Sequence, residues 1–224
     1  HEQLISRLER DLHKLKWFVS ADPGTATVFA VLFGAINPYT KEVFFLDEIY
    51  ATEAERTRVN IIGPQIIEMK QDLLPRVYED WENRWTQTAD EAAAWFINEA
   101  QYNHDLFFQP TQKSLNKKEN GISLFKDLMM SNLFFVSDRC QNYIDETMSY
   151  KTDDKGRFIK ERDHLQDCGR YGLAAMHYEF KEEMSPEEMK KKDPGRGYTM
   201  EDDFPQFFDN KEEIDVSDLF IGEL

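Results

Sequence analysis

Two apolar runs set back to back restrict this chain more than any other feature. They are Trp17 to Ala21 and Thr27 to Ile36, separated by Asp22-Pro23-Gly24-Thr25-Ala26. Runs rich in aromatic and β-branched side chains and bounded by Pro and Gly form strands. A third such run, Glu42 to Tyr50, follows Asn37-Pro38-Tyr39-Thr40, a hairpin turn by composition. The chain therefore opens its core with three strands in a meander. At the end of the first stands a carboxylate, Asp22. An acid on an apolar strand is costly unless it binds something.

The remaining periodicities fill in the fold. Glu2 to Lys16 carries Leu4, Ile5, Leu8, Leu12 and Leu15 near helical spacing, and residues 1–16 read as an amphipathic linker helix. Between Glu53 and Glu82, Ile61, Ile62, Ile66, Ile67, Met69, Leu73 and Leu74 recur at helical spacing, with breaks expected near Pro64 and Pro75. Ala93 to Asn98 and Asp105 to Gln109 read as two more strands, and Gly121 to Ser131 as an amphipathic helix. A short apolar run, Leu133 to Val136, then precedes helices at Asp138 to Tyr150 and about Asp163 to Phe180. Three meandering strands followed by a crossover and alternating units imply an α/β fold, a mixed β-sheet flanked by helices on both faces.

Composition excludes several classes. With 41% hydrophobic and 13% aromatic residues in 224, the chain has ample material for a core. No apolar stretch approaches the ~20 residues of a membrane span, and the charged, amphipathic start is no signal peptide, so the chain is expected in a cytosol. A first residue of His rather than Met suggests a fragment of a longer polypeptide. Cys140 and Cys168 lack CxxC spacing and read as reduced core thiols, which argues against a zinc site. The net charge of −16 argues against a simple nucleic-acid binder. From Lys181 to Leu224 there are 6 basic and 14 acidic residues, so eight of those sixteen net charges lie in the last segment. Residues 181–224, with Pro186, Pro194 and Pro205 among blocks of acid, read as an acidic, partly disordered tail. Its end, Ile214 to Ile221, alternates apolar and acidic groups, which suits either docking to a partner or solubility alone.

Two further acids follow Asp22. Glu99 ends the apolar run Ala93 to Asn98, and Asp167 lies in Asp163-His164-Leu165-Gln166-Asp167-Cys168-Gly169-Arg170-Tyr171. Asp22-Pro23-Gly24, Glu99 and the Asp-His-x-x-Asp-x-x-Arg-Tyr segment, in that order, resemble the nuclease domain of the large terminase subunit of tailed bacteriophages, a member of the RNase H-like superfamily. The resemblance spans about Lys16 to Phe180, taken as a nuclease domain over residues 17–180. Its last motif is the most specific. Position 99 is Glu where many relatives carry Asp, Cys168 and Gly169 stand in place of the usual Ala and apolar residue, and the segment before the fourth strand is enlarged.

The resemblance implies a metal-dependent endonuclease that cuts double-stranded DNA, a concatemeric viral genome, during packaging into procapsids. Phosphodiester hydrolysis by two divalent cations, Mg2+ or Mn2+, roughly 3.5–4 Å apart, needs hard oxygen ligands. Asp22 would bridge the two ions, with Glu99 and Asp167 each completing one side. Asp163 either binds metal or caps its helix, and His164 is an outer group or a proton carrier. Gly24 leaves the backbone open to the scissile phosphate, while Arg170 and Tyr171 pack and pair around the acids. Lys113 is assigned to phosphate, and Lys155, Arg157 and Lys160 line a DNA groove. Solvated loops are the competing view of these basic residues.

The implied partners are the terminase ATPase domain, the portal and the small terminase subunit, in the cytoplasm of an infected host. No G-x-x-x-x-G-K-[ST] motif occurs, so the chain itself carries no translocation motor. Two alternatives remain open from the sequence. One is another RNase H-like nuclease of resolvase or transposase type; the other is a catalytically silent acidic module that binds proteins.

Overall fold

The computed structural model describes Leu4, Leu8 and residues 12–24, 28–53, 58–73, 84–111, 118–149 and 163–176, all within one unit, His1–Tyr178. Strands β1 (Lys16–Pro23), β2 (Phe29–Ile36) and β3 (Val43–Ala51) form the expected antiparallel meander. Asn37 makes the second hairpin: its side-chain oxygen accepts from the N–H groups of Tyr39 at 3.0 Å and Thr40 at 3.3 Å. The turn closes with Lys41 in the left-handed region, φ 63°. Three strands are added in parallel, β4 (Trp85–Ala89) beside β1, β5 (Gln109–Pro110) beside β4 and β6 (Phe134–Val136) beside β3, giving the order β5-β4-β1-β2-β3-β6.

Five α-helices cover this sheet among the described residues: α1 (Val59–Leu73), α2 (Ala94–His104), α3 (Lys118–Met130), α4 (Gln141–Ser149) and α5 (His164–Ala175). One face of the sheet is largely apolar, with Gln87 of β4 the buried polar side chain beside Val19. Trp17, Val19, Phe29, Val31, Phe33, Phe44 and Leu46 pack there with Ile62 and Ile66 of α1 and Phe96 and Ala100 of α2. Leu8, Leu12 and Leu15 of the expected linker helix join the same cluster, and the partly buried Leu4 packs against it. Helix α5 lies on the opposite face, against β1, β2 and β4.

Several expectations need correction. Ala93 to Asn98 is not a strand but belongs to α2, and the fourth strand is Trp85–Ala89. Only Gln109 and Pro110 of the run Asp105 to Gln109 and its successor pair with the sheet. Pro64 does not break α1 but lies inside it, because the buried stripe Val59, Ile62 and Ile66 outweighs the missing N–H. Residues 74–83, with Pro75, lie outside the described residues. Cys140 and Cys168 are both free and buried, as expected of core thiols. No helix among the described residues is long and apolar enough to cross a membrane.

Candidate active site

Strands β1 and β4 carry the same short phrase: Trp17-Phe-Val-Ser-Ala-Asp22 and Trp85-Thr-Gln-Thr-Ala-Asp90. The parallel ladder sets them side by side in register, Trp17 opposite Trp85, Ser20 opposite Thr88 and Ala21 opposite Ala89. The Asp90 N–H then donates to the Ala21 carbonyl at 3.1 Å, so Asp22 and Asp90 leave the sheet together at the C-terminal ends of adjacent parallel strands. That end of an α/β sheet is where ligands bind. Ser20 faces α5, its hydroxyl donating to the Cys168 carbonyl at 2.7 Å. Side chains alternate along a strand, so Asp22 points the same way.

Two glycines set the depth of α5. A Cβ on Gly172 would lie 2.4 Å from Phe18 Cε2, and one on Gly169 would lie 2.9 Å from Phe45 Cζ. Without them the helix could not rest directly on β1 and β3. At this depth its first turns reach the acids. His164 Nδ1 stands 2.7 Å from Asp22 Oδ2, and Arg170 Nη2 stands 2.6 Å from Asp167 Oδ1. The Tyr171 hydroxyl donates to Asp90 Oδ2 at 3.2 Å.

All three acids act on Tyr171. Burial first, then the charges of Asp167, Asp22 and Asp90, push the Tyr171 phenol far above its ordinary range, against the pull of Arg170. The Arg170 guanidinium sits over the Tyr171 ring, 5.3 Å from its centroid. The hydrogen bond to Asp22 raises the His164 pKa, partly offset by burial and reinforced by the charges of Asp22, Glu146 and Asp163.

The sheet thus brings Asp22, Asp167 and His164 together, and sets Asp90 beside them. It does not place Glu99 there by a strand end. Glu99 stands on the exposed side of α2, whose Phe96 and Ala100 face the core. A short apolar run reads equally as strand or helix, and here Asp90 decides it: its Oδ1 accepts the Ala92 N–H at 2.9 Å and caps the turn Glu91–Ala93 that leads into α2. Asp163 occupies the N-cap position of α5, but its side chain makes no capping bond. Lys113, Lys155, Arg157 and Lys160 lie outside the described residues. Asp90, which the register sets beside Asp22, stands outside the motifs that single out the other acids. Its signal in the sequence is the repeated Trp-x-x-(Ser/Thr)-Ala-Asp phrase.

The donor chemistry suits a hard divalent cation. Asp22, Asp90 and Asp167 offer only oxygen, and the side chains of Asp22 and Asp167 are 20% and 21% exposed, open to ions from solvent. Among the described residues, however, no three His, Cys, Asp or Glu side chains form a ready-made ligand shell. Each acid is engaged by its own neighbour: Asp22 by His164, Asp90 by Tyr171 and Asp167 by Arg170.

A mixed sheet of this order, with helices on both faces, is an RNase H-like fold. More particularly, it is the fold of the nuclease domains of phage large terminases. The structure is similar to the nuclease domain of the P22 large terminase, with a TM-score of 0.56 at 15% identity over 74% of this chain and 83% of that one. It is similar also to the SPP1 large terminase nuclease domain solved with bound Mn, with a TM-score of 0.55 at 15% identity over 71% of this chain and 85% of that one. The large terminase of a thermophilic bacteriophage, solved with ADP, matches at a TM-score of 0.54 and 18% identity over 70% of this chain but 38% of its own length. In sequence, 57 residues, 25% of this chain, are 37% identical to the terminase large subunits of Enterobacteria phage LP7 and Salmonella phage P22. That stretch spans 12% of the first and 11% of the second. No protein-family model matches the chain.

Proposed function

We propose that this chain is the metal-dependent endonuclease domain of a phage large terminase, cutting double-stranded, concatemeric DNA during packaging. The observation that carries this reading is the pairing of Asp22 and Asp90 at the ends of adjacent parallel strands, with Asp167 of α5 in the same neighbourhood. Asp22, Asp90 and Asp167 would hold the divalent cations, Mg2+ or Mn2+, with Asp90 in the role first assigned to Glu99. When bound, such cations make a water nucleophilic and stabilise the leaving oxygen.

The chain's own residues prepare that site. His164 orients Asp22 and holds a proton at Nδ1 or Nε2 close to it. Arg170 holds Asp167, and Tyr171 fixes the rotamer of Asp90. Gly24 leaves the backbone after β1 bare, so a phosphate can approach it. Lys113, Lys155, Arg157 and Lys160 supply phosphate contacts. With a net charge of −16, the chain relies for its grip on DNA on the terminase ATPase domain, and it works with the portal and small terminase subunit in the host cytoplasm.

Nicking of supercoiled plasmid with Mg2+, Mn2+ or EDTA tests the proposal. Cleavage is expected with either metal and none with EDTA. Asp22→Asn, Asp90→Asn and Asp167→Asn should each lower the rate by at least about 100-fold, the upper end of what losing a supporting group costs. Glu99→Gln should cleave like the wild type. A folded Asp90→Asn protein of wild-type rate, beside a dead Glu99→Gln, would return the role to Glu99.

A further inference from the structure

The first N–H groups of any helix need acceptors from outside it. In α5 two of them, on Leu165 and Gln166, are met by a side chain of α4 rather than by the side chain of Asp163. Glu146 Oε2 accepts the N–H of Leu165 at 2.8 Å and of Gln166 at 3.1 Å. The Gln166 side-chain amide closes the same joint from the other side, donating to Thr147 Oγ1 at 2.7 Å. Helix α4 is held in its turn by the sheet: Glu48 of β3 accepts the N–H of Asn142 at 2.7 Å through Oε1 and of Tyr143 at 3.0 Å through Oε2. Carboxylate to helix start, twice over, links β3 to α4 and α4 to α5.

Glu146 is 2% exposed, and burial pushes its carboxyl up to about 7 despite the two N–H groups and the His164 charge that pull it back. Burying a carboxylate is costly, so such a clamp is weak evidence for a role in stability alone. Its location suggests another use. Leu165 and Gln166 lie between His164, which meets Asp22, and Asp167, which meets Arg170.

We infer that Glu146 is a positioning residue: by clamping the main chain of Leu165 and Gln166 it sets the start of α5, and with it where His164 and Asp167 stand against Asp22. The inference rests on the metal site proposed above, and two conservative variants of the full chain test it. Glu146→Gln keeps the reach and an acceptor oxygen but loses the charge; Glu146→Asp keeps the charge but is one methylene too short. Amide hydrogen exchange at Leu165 and Gln166 reads the clamp without metal, and calorimetric titration with Mn2+ reads the site.

Positioning predicts that Glu146→Asp speeds exchange at both amides and weakens Mn2+ binding about 10- to 100-fold, the range for groups that orient a ligand, while Glu146→Gln stays near wild type in both. The reverse order, with Gln impaired and Asp intact, would show that the charge matters and overturn the clamp. Wild-type values for both variants would overturn it too. Wild-type protein that takes up no Mn2+ would sink the metal site itself and the positioning role with it, a failure visible before any variant is made.

Discussion

The two faces of the sheet are built on different terms. Beneath α1 and α2 every inward residue of β1, Trp17, Val19 and Ala21, is apolar and buried, and aromatic rings interlock, as with Phe29 and Phe96 at 5.2 Å between centroids. Beneath α5 the same strand offers Phe18, Ser20 and Asp22, so apolar packing gives way to a hydroxyl and then a carboxylate as the strand nears its end. On the first face large side chains fill the gap between layers. On the second, glycines at 169 and 172 remove the gap, bringing a helix's polar groups onto the strand ends. Burying area stabilises; close approach positions. One strand, by alternating its side chains, serves both.

That division breaks if either face does the other's work. Phe33→Ala, on the apolar face, should cost about 3–5 kcal/mol of stability, the usual range for emptying a fully buried Phe site. The nicking rate per folded molecule should be unchanged. Urea denaturation measures the first and a rate corrected for the folded fraction the second; a strong fall in the corrected rate would mean that the two faces are coupled. Gly172→Ala should be milder in stability, about 1–3 kcal/mol, because the new methyl meets Phe18 at a distance no real contact shows and forces strain. Yet it should depress nicking beyond its effect on stability, since α5 must lift from β1. Stability lost with the corrected rate intact would show that the depth of α5 is a packing matter only.

The same contrast explains what was legible from the sequence. The apolar face announces itself: Trp17 to Ala21, Thr27 to Ile36 and Glu42 to Tyr50 are runs dominated by apolar side chains, and the meander follows them closely. Strand β4 does not, because Thr86, Gln87 and Thr88 read as polar although Gln87 and Thr88 are buried between β1 and β5. Losing it moved the expected fourth strand into α2 and the expected second acid to Glu99. Asp22, His164 and Asp167 were legible because a motif and helical spacing fix them. Asp90 became visible only once the register placed its Trp-x-x-Thr-Ala-Asp phrase beside that of β1. Glu146 carries no local signal at all, since its targets lie 19 and 20 residues away across an undescribed stretch.

The smallest effect belongs to the His164 pair, and it sharpens the comparison by showing what the polar face adds to stability. The Asp22 hydrogen bond raises the folded pKa of His164 above its ordinary 6.5, so the folded protein holds that proton longer than the unfolded chain. Between the two values folding binds more protons, and stability falls as pH rises. The contribution is therefore complete below pH 6.5 and lost as pH climbs through the folded value. Glu146 gives a slope of the same sign, but one that ends near its folded value of about 7, so the histidine is read above that. With the pair partly exposed, its worth should be below about 1 kcal/mol. Urea unfolding from pH 7 upward should show a decline in the wild type that His164→Gln lacks, while Phe33→Ala keeps it at lower overall stability. Parallel curves for wild type and His164→Gln would mean that the pair holds geometry without contributing to stability, leaving the apolar face to supply it.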